Sequence, residues 1–304
     1  MNVIEISALR KVYGTRVGVD GISLRVAEGS LFGFLGPNGS GKTTTIRVLL
    51  GLLRATGGAA RVLGLDVWRD TARVKRDVGY VPGELHLYPW LNGREVLRIF
   101  GAARGMDLTA AGKDLASLLG LDLNVGVRKM SRGMKQKLGL LAALAHKPRL
   151  LILDEPTSGL DPLMQDALRQ HLRLLNKSGH TIFFSSHTLS EVEALCDHVA
   201  VLRNGRLVAD EPLENLRVRA GHEVMIRWKA GAAIPDASPD FLHVHHRTPT
   251  VWEGALEGPV DRLIRWLADR PVDDLSIGRP DLEALFRRFY EGDGARRESE
   301  AARQ

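Results

Sequence analysis

Gly36-Pro37-Asn38-Gly39-Ser40-Gly41-Lys42-Thr43 has the spacing G-x-x-x-x-G-K-[ST]. Glycines at these steps let the backbone curl until its N–H groups face inward, where they can bond phosphate oxygens. A helix starting at Lys42 would add the positive partial charge of its first turn. Lys42 would bridge the outer two phosphates of a nucleoside triphosphate, the Thr43 hydroxyl would ligate Mg²⁺, and Thr44 would belong to the nucleotide site. The plainer alternative is an ordinary glycine turn.

A second chemical pair ends the run Leu150-Leu151-Ile152-Leu153-Asp154-Glu155. Four apolar residues in a row suit a central parallel strand, so the two acids emerge at its carboxyl end, where ligand sites lie in such sheets. Asp154 suits Mg²⁺, directly or through water. Glu155 suits positioning and deprotonating an attacking water. A strand ending in a solvated acidic loop is the alternative.

Strands and helices alternate through about residue 210, the pattern of a parallel sheet covered by helices. Residues 31–35, 78–81, 181–184 and 199–202 read as strands, and 42–53 as the helix after the glycine loop. Between 84 and 147 the β signal disappears. Val96, Leu97, Ile99 and Phe100 recur at helical spacing, as do Leu115, Leu118 and Leu119, then Leu138, Leu141 and Ala142. This is a helical insertion. Past Pro212 the character changes: 223–228, 251–256 and 272–277 read as strands and 259–268 as an amphipathic helix. Asp281 can cap a last helix whose stripe is Leu282, Leu285, Phe286 and Phe289. Residues 216–291 form a small accessory α+β domain in this reading, and 292–304 a disordered tail.

Several more motifs stand in order along the chain. Met130-Ser131-Arg132-Gly133-Met134 is similar to L-S-G-G-Q. Ser158-Gly159-Leu160-Asp161 follows the acidic pair, His187 follows the 181–184 strand, and Tyr13 lies upstream of the glycine loop. Over residues 1–215 the chain therefore resembles the ABC (ATP-binding cassette) ATPases. The resemblance implies an α/β fold with a P-loop NTPase (RecA-like) core and an antiparallel β edge. It implies ATP and Mg²⁺ as ligands, with Tyr13 stacking on adenine and His187 bonding the γ-phosphate and the water. It implies two subunits packed head to tail, a homodimer in this reading. Ser131 and Gly133 of each would cover the γ-phosphate held by the other, and Asp161 would couple the sites. Ser131 offers a hydroxyl, and Gly133 opens a helix whose first N–H groups lack partners.

The chain departs from that pattern twice. Gly83, in Val81-Pro82-Gly83-Glu84, stands where the family has glutamine, and glycine has no side-chain oxygen for Mg²⁺. Arg132 and Met134 replace the first glycine and the glutamine of L-S-G-G-Q. Arg132 would add positive charge near a partner's ATP or simply face solvent. Hydrolysis slower than the family norm is the expectation from these changes. The run 131–137 and the ending 281–290 resemble subunits of drug- and antibiotic-resistance exporters. The implied partner is a separate integral membrane permease, moved through the insertion near residues 84–105. A non-transport ABC ATPase and a non-catalytic nucleotide sensor are the alternatives.

Composition bounds the remaining classes. Hydrophobic residues make up 44% of the 304 and charged residues 26%, a globular balance. No stretch reaches the roughly 18 to 20 apolar residues of a membrane span, and no signal-peptide core opens the chain. The expected location is the cytoplasm, at the inner face of the membrane. Net charge is +6, but the arginines are spread out and aromatics are only 6%, so no nucleic-acid partner is expected. The one cysteine, Cys196, reads as a small apolar residue on a buried helix face. His243, His245 and His246 cannot all share a strand face, which argues against a metal site there.

Overall fold

An antiparallel hairpin opens the chain. β1 (Asn2–Tyr13) and β2 (Arg16–Ala27) pair around a two-residue loop, Gly14-Thr15. The register of β1 shifts between Ile6 and Leu9, where Ala8 has φ 45°, a β-bulge that twists the ribbon. The computed structural model describes residues 1–280 together with Leu282, Leu285 and Phe286.

β3 (Leu31–Leu35) is buried along its whole length. It leads into α1 (Lys42–Leu49), shorter than the 42–53 expected from sequence. Gly51 ends it: φ is +61°, and a Cβ there would lie 2.3 Å from the Thr71 hydroxyl. β4 (Gly57–Val62) and β5 (Leu65–Asp66) extend the hairpin into a sheet ordered β2-β1-β4-β5. α2 (Thr71–Arg76) and β6 (Val78–Val81) follow.

Next come α3 (Gly93–Ala102), α4 (Thr109–Leu118), a 3₁₀ turn at Val127–Lys129 and α5 (Arg132–Leu144). Asn92 and Glu95 close a capping box at the start of α3, which sets where that helix begins. The β-type pairing described between β6 and the next strand is one bridge, Asn92 with Gly126.

β7 (Leu150–Asp154), α6 (Pro162–Lys177), β8 (Thr181–Ser186), α7 (Leu189–Leu195), β9 (His198–Arg203) and β10 (Arg206–Pro212) complete a second sheet, ordered β10-β9-β3-β8-β7-β6. The pairs β9/β3, β3/β8, β8/β7 and β7/β6 are parallel. β7 and β8 are buried at every residue, as helices on both faces require. Cys196, at the end of α7, is buried, and burial raises its thiol pKa far above the ordinary range.

The chain divides at Asp210–Glu211, not at 215–216. Pro212 precedes α8 (Leu213–Ala220), whose Leu213 and Leu216 are buried. The second unit continues with β11 (His222–Trp228), β12 (Leu242–Arg247), β13 (Val251–Leu256), α9 (Val260–Leu267) and β14 (Val272–Pro280). Its antiparallel sheet, ordered β12-β13-β11-β14, buries one face. Val224, Ile226 and Trp228 alternate inward along β11 and meet Leu263 and Leu267 of α9. Trp228 and Trp252 pack edge to face at 5.1 Å. Leu282 and Phe286 are helical and buried, and Leu285 is helical and half-buried. Asp281, Phe289 and the tail 292–304 lie outside the described residues.

Candidate functional site

β3 lies between β9 and β8, and β7 lies on the far side of β8, so the glycine loop and the acidic pair emerge from the same end of one sheet. Gly41 has φ +110°, and a Cβ there would stand 2.5 Å from the Gly18 carbonyl oxygen. At Gly36 a Cβ would stand 2.4 Å from the Leu202 carbonyl oxygen. The loop that only glycine permits walls a cleft of about 420 Å³, lined by Tyr13, Asn38, Gly39, Gly41 to Thr44 and Glu155.

Lys42 is 5% exposed and donates to the carbonyls of Gly36 at 2.6 Å and Pro37 at 3.3 Å. Its Nζ lies 3.5 Å from Glu155 Oε1. Burial lowers the lysine's pKa, and the charges of Glu155 and Asp154 work against that. Glu155 Oε2 lies 3.2 Å from His187 Nδ1, so one carboxylate spans the lysine and the histidine. Glu155 has φ 48°, a left-handed backbone rare for this residue type. That turn carries its side chain out of the β7 alternation, while its N–H still donates to the Ser185 carbonyl at 3.2 Å.

Thr43 Oγ1 donates to Asp154 Oδ2 at 2.9 Å, and Ser185 Oγ donates to Asp154 Oδ1 at 2.6 Å. The parallel register pairs Asp154 with Ser185, which explains the second contact. A hydroxyl and a carboxylate side by side are hard oxygen donors. Mg²⁺ is held by one or two such groups plus substrate phosphate, and the pair fits it. Among the described residues no cluster of three or more His, Cys, Asp or Glu could hold a metal alone. The Ser40 hydroxyl is buried within the loop without a hydrogen-bond partner. Position 83 faces the same acid: a Cβ on Gly83 would sit 3.8 Å from Asp154 Oδ2, in ordinary contact. Space does not demand the glycine.

Tyr13 lies half-exposed on the cleft wall, over Gly18, its hydroxyl 3.4 Å from Thr44 Oγ1. Ser131 and Asp161 do not line the cleft. Each caps a helix instead: Ser131 accepts from Met134 N–H at 3.2 Å at the start of α5, and Asp161 from Met164 N–H at 3.0 Å at the start of α6. Gly133, in the first turn of α5, is also outside the cleft. Arg132 is exposed but does not merely face solvent, since it donates to Ser158 Oγ at 2.9 Å. Sequence reasoning missed Arg16 and Arg47 on the cleft wall and Ser185 beneath Asp154. Arg47 stands one helical turn after Thr43, a spacing that could have pointed to it.

A second cavity, about 550 Å³, opens beside the helical segment. Leu85, Leu87 and Phe100 make its apolar walls, with Lys75, Arg76 and Arg104 among them. Arg104 Nε is buried without a partner. Just beyond Leu87, Tyr88 and Trp90 are exposed and stacked at 4.9 Å. In the second unit, His243 pairs with Glu257 at 3.1 Å on the surface.

Residues 19–158 match the family model described as ABC transporter. The chain is 40% identical over 220 residues to the bacitracin transport ATP-binding protein of Bacillus licheniformis, covering 71% of this chain and 72% of the relative. An uncharacterized ABC transporter ATP-binding protein of Nostoc sp. is 40% identical, covering 94% of this chain and 89% of its own length. A solved ATP-binding cassette, dimeric in a post-hydrolysis state with ADP and Pi, shares the fold at TM-score 0.63 and 22% identity. That match covers 69% of this chain and 98% of the cassette.

Proposed function

We propose that this chain, which belongs to the ABC transporter ATP-binding proteins, works as a head-to-tail homodimer that hydrolyses Mg²⁺-bound ATP to drive a separate permease. The chain is an ABC ATPase with the P-loop cassette fold. One arrangement carries the reading. Thr43 and Asp154 stand 2.9 Å apart, with Glu155 beside them between Lys42 and His187, all at one end of one sheet.

In the proposed reaction the loop 36–43 holds the phosphates with its amides, and Lys42 bridges the β and γ groups. Thr43 and Asp154 would hold Mg²⁺, which would supply positive charge beside the phosphate oxygens. Glu155 takes the proton of the attacking water, and His187 donates a hydrogen bond to the γ-phosphate. Tyr13 supports the adenine. Ser131 and the first amides of α5 close over the γ-phosphate of the partner subunit's nucleotide, and Asp161 couples the two sites. That the signature turn lies outside the cleft of its own chain supports this division of labour.

The cavity by Leu85, Phe100 and Arg104 supports permease docking through the helical segment. Among the described residues no helix is long and apolar enough to cross a membrane, so the permease would hold the chain on the cytoplasmic face. The bacitracin-transport relative and the run 131–137 support an exporter.

Glu155→Gln tests the reading. ATP binding should persist, turnover should fall about 10²-fold or more, and size-exclusion with light scattering should find an ATP-dependent dimer. Undiminished steady hydrolysis by this variant would overturn the role of Glu155. Co-purification from detergent-solubilised membranes should recover a polypeptide with several membrane spans. Recovery of ribosomes or nucleic acid instead would overturn the transporter reading.

A further inference from the structure

The first turn of α5 is bolted to the segment that follows Glu155. Arg132 and Gln136 are one helical turn apart, on one face. Gln136 is buried, and its Nε2 donates to the Pro156 carbonyl at 3.1 Å. Arg132 donates to the Ser158 hydroxyl at 2.9 Å. Its side chain also lies along Gly159, where a Cβ would come 3.4 Å from Arg132 Cγ, Cδ and Nε. A Cβ on Gly133 would come 3.0 Å from the Gly159 carbonyl oxygen, so the backbones are already close. The segment so held runs from Glu155 at one end to Asp161 at the other.

We propose that Arg132 is a positioning residue. Its clasp on Ser158 locks the anion-binding turn of α5 to the Glu155–Asp161 segment. The surface each chain offers to its partner's nucleotide is thereby set by the state of its own site. The bond from Gln136 fixes one point of contact, and the bond from Arg132 fixes a second one turn earlier. A glycine in the place of Arg132, as in the family pattern, has no side chain to make it. The guanidinium fork reaches sideways in a fixed plane, which a lysine ammonium does not reproduce. The inference rests on the head-to-tail reading above.

The test is made in the full chain carrying Glu155→Gln, reading the ATP concentration at which half the protein is dimeric by light scattering. Arg132→Ala should raise that concentration roughly three- to tenfold, the scale of one exposed charge-assisted hydrogen bond. Ser158→Ala should raise it as much, and the double variant no further than either alone. Arg132→Lys should recover part of the loss. Nucleotide binding by the monomer, followed with a fluorescent ATP analogue, should not change in any of them. A silent Ser158→Ala beside a weakened Arg132→Ala would overturn the clasp, because Arg132 would then act directly on the partner's phosphate. Additive losses would overturn it too. A Glu155→Gln chain that never dimerises with ATP would instead overturn the head-to-tail reading, and the clasp with it.

Discussion

The glycine loop and the first turn of α5 are the two turns proposed above to meet phosphate, and they are built in opposite ways. The loop is enclosed: Lys42 is 5% exposed, Gly36 and Gly41 pack against backbone, and charges face charges within one chain. The α5 turn is exposed, and Ser131 already spends its hydroxyl on the Met134 amide. A site walled on several sides can bind a triphosphate alone. A bare turn gains enough contacts only when another surface brings the phosphate to it. On the proposed head-to-tail reading, nucleotide affinity would lie with the loop and dimer affinity with the turn.

Breaking the enclosed site should have the largest effect. Lys42→Ala should abolish measurable nucleotide binding and lower hydrolysis about 10²-fold or more, checked by titration and phosphate release. Ser131→Ala sharpens the contrast: the monomer should bind nucleotide unchanged, while ATP-driven dimerisation weakens on the order of tenfold. A variant that lost both together would merge the two regions again.

The far end of the same helix offers a smaller test, in stability. His146, just past α5, is 8% exposed. Burial first, and the Arg104 charge second, push its pKa down to about 4 from an ordinary 6.5. Between those values the unfolded chain takes up a proton that the folded chain refuses. Stability should therefore fall as pH drops from 6.5 to 4, by at most about 3 kcal/mol. His146→Leu should flatten that limb in urea titrations at several pH values. Gly83→Gln should have the smallest effect. It adds an amide at a position whose Cβ would meet Asp154 only in ordinary contact, and should raise the hydrolysis rate roughly two- to fivefold. An unaltered rate would show that water already supplies what the side chain could.

The local shape around the candidate site was legible in the chain. Gly36 to Thr43 and Leu150 to Glu155 carry their own reasons for shape, because phosphate loops and buried strands constrain adjacent residues. The helix stripes after residue 84 were legible for the same reason. The support of Asp154 by Ser185 was not, since strand order sets it and no neighbouring residue announces it. The bond of Arg132 to Ser158 spans 26 positions and left no periodic trace. The boundary at Asp210 was masked by Pro212, which ends a strand and starts a helix with one residue.

Glu155 does one more thing by lying between Lys42 and His187. A buried ammonium needs a counter-ion, and this carboxylate lies within reach of it. Incoming phosphate and Glu155 are then rivals for the same cation. In the proposed reaction the triphosphate would compete for Lys42 with the very carboxylate that is to take the water's proton. One cation thus ties the strength of phosphate binding to the freedom of Glu155.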